Sequence, residues 1–235
     1  MGAVFRRELK AYFTSPIAYI FIAVFYLYTS TYFVNYNLYF GTTDMATAFN
    51  SAFTIMMIML PLLTMRLFTE ERRQKTDQCL LTAPINLFSI VMGKFFAAVC
   101  IFLCAMAIYV PYVIVLVALA GSVAWATVIG NMAALLLLGA SFIAIGLFVS
   151  AMTENQVVAA VGSFIIIIFF YMIDMLAGIV QVEWLKKIMV ALGFYTRYAQ
   201  FSTGLFSIPS ALFFVSIIFI FCFLTVRALE KRRWA

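Results

Sequence analysis

The chain has 235 residues, 66% of them apolar and 10% charged, with a formal charge of +6, no histidine and a mean hydropathy of +1.11. That composition excludes a soluble globular domain and a disordered chain, because apolar runs of about 18 residues or more with few charges are bilayer-spanning helices. Without histidine, an ordinary Ser-His or Cys-His nucleophile pair and a histidine zinc motif are excluded as well.

Before the first apolar run, "FRRELKAYFTSP" places Phe5, Leu9, Tyr12 and Phe13 on one side of a helix and Arg6, Arg7 and Lys10 on the other. This is the pattern of a helix lying in the membrane interface, with a positively flanked start to a span as the plainer alternative. Ser15-Pro16 then redirects the chain. Arg6 stands where a myristoylation signal needs Ser or Thr, and the first run is too long for a removable signal, so no processing is expected there.

Spans are predicted near 17–39, 46–66, 95–120, 124–150, 156–180 and 206–227, all within one membrane domain over 1–235. The fold class is therefore all-α integral membrane, with six transmembrane helices and an interfacial helix over 1–15; a barrel is excluded because the runs do not alternate. In span one Tyr19, Tyr26, Phe33 and Phe40 recur along one stripe, with Tyr28, Tyr32, Tyr36 and Tyr39 opposite. Tyr28, Tyr32 and Tyr36 could line a path for an amphipathic substrate, although packing and interfacial anchoring account for the same pattern.

Between spans two and three, Glu70, Glu71, Arg72, Arg73, Lys75 and Asp77 crowd into eight positions. Thr76 can cap a short helix with Cys79, Leu80 and Leu81 as its apolar face and Pro84 as its boundary, and Asn86 can cap the helix leading through Lys94 into span three. Leu80 and Leu81 within a rim of charge would form a docking surface for a soluble partner. An ordinary positive-inside loop is the alternative. Gly93-Lys94 lacks the flanking residues of a phosphate loop.

Spans three and four form a tight hairpin through "AGSVAW", and Glu154 in the turn "AMTENQ" reads as a solvated or capping residue. Asp174 lies inside span five, where a lone carboxylate at the bilayer centre would cost about 2.5–3.5 kcal/mol. It is a candidate for a substrate path or proton relay, or it reaches headgroup water and pairs with Lys186 or Arg197. The segment from 179 to 205 mixes apolar residues with Lys186, Lys187 and Arg197 and is expected to lie on the membrane as one or two short helices. Cys100 and Cys104 share a helix face but read as packing residues, so no metal site is expected.

Orientation follows from the cations. With both termini inside, the inner segments hold Arg6, Arg7, Lys10, Arg66, Arg72, Arg73, Lys75, Lys94, Arg227, Lys231, Arg232 and Arg233, and the outer ones only Lys186, Lys187 and Arg197. The basic balance therefore points to topology and anionic lipid heads, and to no nucleic-acid partner.

At this point "MRLFTEERRQKTDQCLLTAPINLFSIVMGKFFA" resembles the loop between spans two and three of ABC-2 type exporter permeases. "SAMTENQVVAAVGSF", "RYAQFSTGLFSI" and "LEKRRW" are similar to later segments of the branch associated with bacterial gliding motility, which often has His where Tyr195 or Arg197 stands here. The resemblance implies an ABC-2 exporter-type permease fold in the bacterial cytoplasmic (inner) membrane, multi-pass, with both termini cytoplasmic. It also implies cytoplasmic ABC ATP-binding subunits as partners, which would bind ATP and Mg while this chain holds no cofactor and is no enzyme. A second permease copy or a related permease subunit would pair with it, and an extracytoplasmic auxiliary protein could join.

By the same resemblance residues 69–88 would be the coupling helix. Glu70, Glu71, Arg72 and Arg73 would make its polar contacts beside Thr76, and Leu80, Leu81 and Pro84 its docking edge. Glu71→Lys or Leu81→Asp is then expected to uncouple the ATPase while leaving insertion and abundance intact. Two other readings stay open: a membrane scaffold or mechanical transmitter acting on an extracytoplasmic partner, and an ATP-independent secondary transporter, the latter disfavoured by the scarcity of mid-membrane charges.

Overall fold

Short polar side chains start several of the spanning helices. Helix α1 (Gly2–Thr14) ends at Ser15, whose hydroxyl accepts from Ile17 N at 3.3 Å and opens α2 (Pro16–Tyr32) with Pro16 in its first turn. Asp44 Oδ1 accepts from Ala46 N at 2.9 Å as α3 (Ala46–Thr64) begins. Asn86 accepts from Phe88 N at 3.0 Å, so α5 (Leu87–Met106) starts on the cap that the sequence predicts, after α4 (Arg66–Arg73). In this computed structural model residues 1–75, 86–121, 123–180, 182–202 and 207–233 are described.

Helix α6 (Tyr109–Ala120) continues span three after a break at 107–108, four residues before Pro111, whose ring excludes the carbonyl of Ala107 from the helical ladder. It ends on Gly121 in the left-handed region at φ +74°. Helices α7 (Trp125–Met152) and α8 (Gln156–Ala177) follow, the latter capped by Asn155. Then come α9 (Glu183–Leu192), α10 (Phe194–Ser202) and α11 (Ile208–Arg233). Among the described residues six helical stretches are long and apolar enough to cross a membrane, and the molecule is an all-α integral membrane protein.

Spans two and four are the most buried and lie at the centre, with α2, α5, α8 and α11 packed around them. Two glycines allow that closeness. A Cβ on Gly139 would strike the Phe102 ring of α5 and come 2.8 Å from Met56 Cε of α3, and one on Gly146 would come 2.8 Å from Thr64 Cβ. Between membrane helices, where no hydrophobic force drives association, such small-residue contacts supply van der Waals packing.

Two expectations change. Residues Phe33–Tyr39 form a π-helix, with Phe40 N bonding to Asn35 O at 3.3 Å. Each π-turn takes up an extra residue, which shifts the phase of everything beyond. Phe33, ahead of the shift, continues the buried face of α2 and stacks on Tyr112 at 4.2 Å, whereas Phe40, beyond it, is exposed and joins Tyr28, Tyr32 and Tyr36 in one aromatic ladder.

Among its described residues the segment after span five holds two short helices, but only α9 has a wholly unburied surface. Helix α10 packs into the bundle. Phe194, Tyr198 and Phe201 are fully buried, and the Phe194 ring lies 4.8 Å from Phe170 and 5.6 Å from Phe142. Phe142 is about 25 Å along α7 from Trp125 at 1.5 Å per residue. A Cβ on Gly130, nearer the start of α7, would lie 3.2 Å from Phe201 O. Helix α10 thus starts deep and runs back toward the end that carries Trp125. Its aromatics at i, i+4 and i+7 form one stripe, which fills the groove between α7 and α8 instead of facing lipid headgroups.

Candidate coupling site

The start of α1, the end of α11, α4 and the α7–α8 turn gather at one end of the bundle, around the charges that crowd positions 70–75. Helix α4 follows α3 through Met65, itself helical at φ −53° and ψ −31°, so Glu70, Glu71, Arg72 and Arg73 stand on a continuation of span two. Arg66 pairs with Glu70 one turn on, Nε to Oε2 at 2.8 Å, and its other arm donates to Ser15 Oγ at 2.9 Å.

The centre of the site is Lys94 of α5, 1% exposed. Its ammonium has three donors. Nζ lies 2.7 Å from Leu67 O, 3.0 Å from Glu8 Oε1 and 3.1 Å from Glu71 Oε1, and it sits 5.0 Å from the centre of the Phe68 ring. A buried ammonium is tolerated only when paired and hydrogen-bonded in this way. Arg7 of α1 bridges the same two carboxylates, donating to Glu8 at 2.9 Å and to Glu71. The hydrogen bond to Glu8 and the charge of Glu71 hold the Arg7 guanidinium above its ordinary pKa, against an opposing effect of burial.

Helices α1, α4 and α5 are thereby fastened together around a polar cleft of about 380 Å³. Tyr12 adds an uncharged tie, its buried hydroxyl donating to Leu63 O at 3.0 Å. A second fastening leads to span four. Arg72 Nη1 donates to Ala151 O at 3.2 Å, in the last turn of α7, where carbonyls lack helical partners and favour a cation. Its Nη2 lies 3.3 Å from Glu154, so that turn residue is both solvated and paired.

Glu70, Glu71 and Arg72 are therefore each engaged by a different intramolecular partner, while Arg73, Gln74 and Lys75 are exposed. Lys75 closes α4 at φ +56°, a left-handed position usually given to glycine. Thr76, Leu80, Leu81 and Pro84 lie outside the described residues. The partnership of Glu71 with Lys94 corrects the expectation that Glu71→Lys leaves abundance intact, since that substitution sets two ammonium groups side by side.

Sequence reasoning missed Lys94, Glu8 and Arg7 as members of the site. A signal was present: Lys94 interrupts the run "SIVMGKFFAAV", and a lone ammonium there needs a carboxylate partner.

The remaining candidates lie elsewhere. Tyr28 and Tyr32 are half-buried with ring centres 5.1 Å apart, and Tyr36 is exposed and stacks on Tyr32 at 6.1 Å. Asp174, a candidate for a substrate path or proton relay and otherwise expected to reach headgroup water or to pair with Lys186 or Arg197, serves as a helix cap. Its Oδ2 accepts from Tyr195 N at 2.7 Å and its Oδ1 from the Thr196 hydroxyl at 2.6 Å, at the positive end of α10. Gly193 makes room for it, since any Cβ there would overlap the carboxylate.

Among families of known proteins, the model described as ABC-2 family transporter protein matches residues 3–189. No curated protein matches the chain.

Proposed function

The chain belongs to the ABC-2 transporter family, and from that premise we propose that it is the membrane-spanning permease subunit of an ATP-driven exporter, with α4 and residues 76–85 as its coupling element. The family implies partnership with ABC ATP-binding subunits, and ATP and Mg would be bound there rather than in this chain. The observation that carries this reading is the double fastening of α4. Through Glu71 it is tied to Lys94 of α5 and Arg7 of α1, and through Arg72 to the end of α7.

A displacement delivered at 74–86 would be shared by spans two, three and four, because α4 is continuous with span two and has few free torsions beside its partners. Coupling requires such an element to occupy two positions with different contacts in the ATP-bound and ATP-free states. Arg73 and Lys75 remain exposed for polar contacts, and Leu80, Leu81 and Pro84 would form the apolar docking edge.

Both termini would then face the cytoplasm from a bacterial inner membrane, in keeping with twelve cations at that end against three. A second permease copy or a related permease would complete the transporter, and the gliding-motility branch is the closest reading of "LEKRRW" and the segments before it. Tyr28, Tyr32, Tyr36 and Asp174 remain the candidates for a substrate path.

The test is a mild-detergent pull-down of the tagged protein from its own host, beside Leu81→Asp. Recovery of an ATP-binding subunit with the native chain, and its loss from an equally abundant Leu81→Asp variant, is expected. Absence of any ATP-binding subunit, or equal recovery with both, would overturn the assignment.

A further inference from the structure

Only three of the fifteen Lys and Arg residues lie at the end of the bundle away from the termini, and the fold gathers all three around one groove. Lys186 and Lys187 come from α9 and Arg197 from α10, and with Glu183, Val190 and Ala191 they line a space of about 530 Å³. We propose that this groove binds a phosphate-bearing anion, with the headgroup of an anionic phospholipid as the occupant that its walls favour. The proposal goes beyond the coupling reading and does not depend on it.

Three observations carry it. The cations lack counter-charges: among the described residues Lys186, Lys187 and Arg197 form no ion pair, although Glu183 lines the same groove. Asp174, the carboxylate on the neighbouring helix α8, is taken up by Tyr195 N and Thr196 at the start of α10. That cap also fixes the first turn of α10 and so the position of Arg197, whose guanidinium lies 5.6 Å from the Phe213 ring with Nε buried and without a partner.

Gathering three like charges costs free energy that an anion between them recovers. Phosphate oxygens suit both an Arg fork and Lys ammonium groups. Val190 and Ala191 add an apolar wall, which suits a headgroup that carries acyl chains better than a bare ion. The groove also lies beside the end of span five, because Asp174, in the last turn of α8, holds the first turn of α10, and headgroups meet membrane helices at their ends.

The experiment titrates the purified full chain, in a neutral detergent, with dihexanoyl phosphatidylglycerol, dihexanoyl phosphatidylcholine and inorganic phosphate, read by calorimetry. A saturable phosphatidylglycerol component is expected, at least tenfold tighter than phosphatidylcholine. It should weaken at least tenfold in K186Q/K187Q/R197Q, since each surface cation is worth about fivefold in affinity for an anionic headgroup.

Phosphate binding weaker than phosphatidylglycerol assigns the site to lipid; phosphate binding equally tightly, and lost in the same variant, assigns it to a soluble anion. Equal binding of the two lipids, or a component unchanged in the variant, would overturn the proposal. Should the triple variant elute as aggregate, K186Q/K187Q, which alters only exposed side chains, carries the test with an expected loss of at least fivefold. Arg197→Lys, which keeps the charge, should retain most of the binding.

Discussion

Lys94 carries more of the architecture than its isolation in an apolar run suggests. Removing one partner from a buried ion pair leaves an uncompensated charge, at a cost of about 3–5 kcal/mol. Glu71→Lys, which adds a second ammonium beside Lys94, is expected to destabilise by at least that much and to lower the amount of protein in the membrane. Glu71→Gln keeps a polar group in place and should cost about 1.5–3 kcal/mol. Thermal unfolding of the detergent-solubilised protein measures both, and equal stability of Glu71→Lys and wild type would refute the network. At the opposite end Asp174→Asn keeps an acceptor for α10 while losing the charge at its positive terminus, about 0.5–1 kcal/mol, and Asp174→Ala loses the cap as well, about 1–2 kcal/mol. Full stability with abolished transport in the Asn variant would instead place Asp174 on the substrate path.

Among the elements, α7 holds the bundle together because its glycines let α3 and α5 approach. Gly139→Leu forces a branched side chain into the Phe102 ring and is expected to cost about 1–3 kcal/mol or more from overpacking, seen as a lower melting temperature and a broadened size-exclusion peak. An unchanged melting temperature would mean that α5 and α7 are not in contact there. The helix positions themselves follow from local chemistry: Ser15-Pro16, Asn86, Asn155, Pro111 and Gly121 each mark a start, break or stop. The π-segment at Phe33–Tyr39 obeys no such marker. Its phase shift comes from packing, with Phe33 seated on Tyr112 and the buried Asn37 donating to Thr42 O and Asp44 O at 2.9 Å each.

For the molecule as a whole, the fastenings of α4 predict how it moves. Spin labels at positions 73 and 152, both exposed, should keep their separation to within about 2 Å between nucleotide-free and ATP-bound complexes, because Arg72 holds α4 to the end of α7. A larger change, measured by electron paramagnetic resonance distances, would mean that α4 hinges at Met65 instead of moving with span four. The same end of the molecule would then transmit force to fewer spans.

The number of spans, their order, the helix before the first span and the charge asymmetry were legible in the sequence. Each depends on a local quantity: hydropathy over about 20 residues, a cap, or a count of Lys and Arg. The family was legible too, through motifs spread along most of the chain. Besides the π-segment, two things were decided only by tertiary structure. One is the partnership of Glu8, Arg7, Glu71 and Lys94, which joins residues up to 86 positions apart. The other is the re-entry of α10, whose aromatic stripe needs a groove made by other helices. Pairing of charges and filling of grooves are properties of surfaces brought together, and no window of sequence contains both sides.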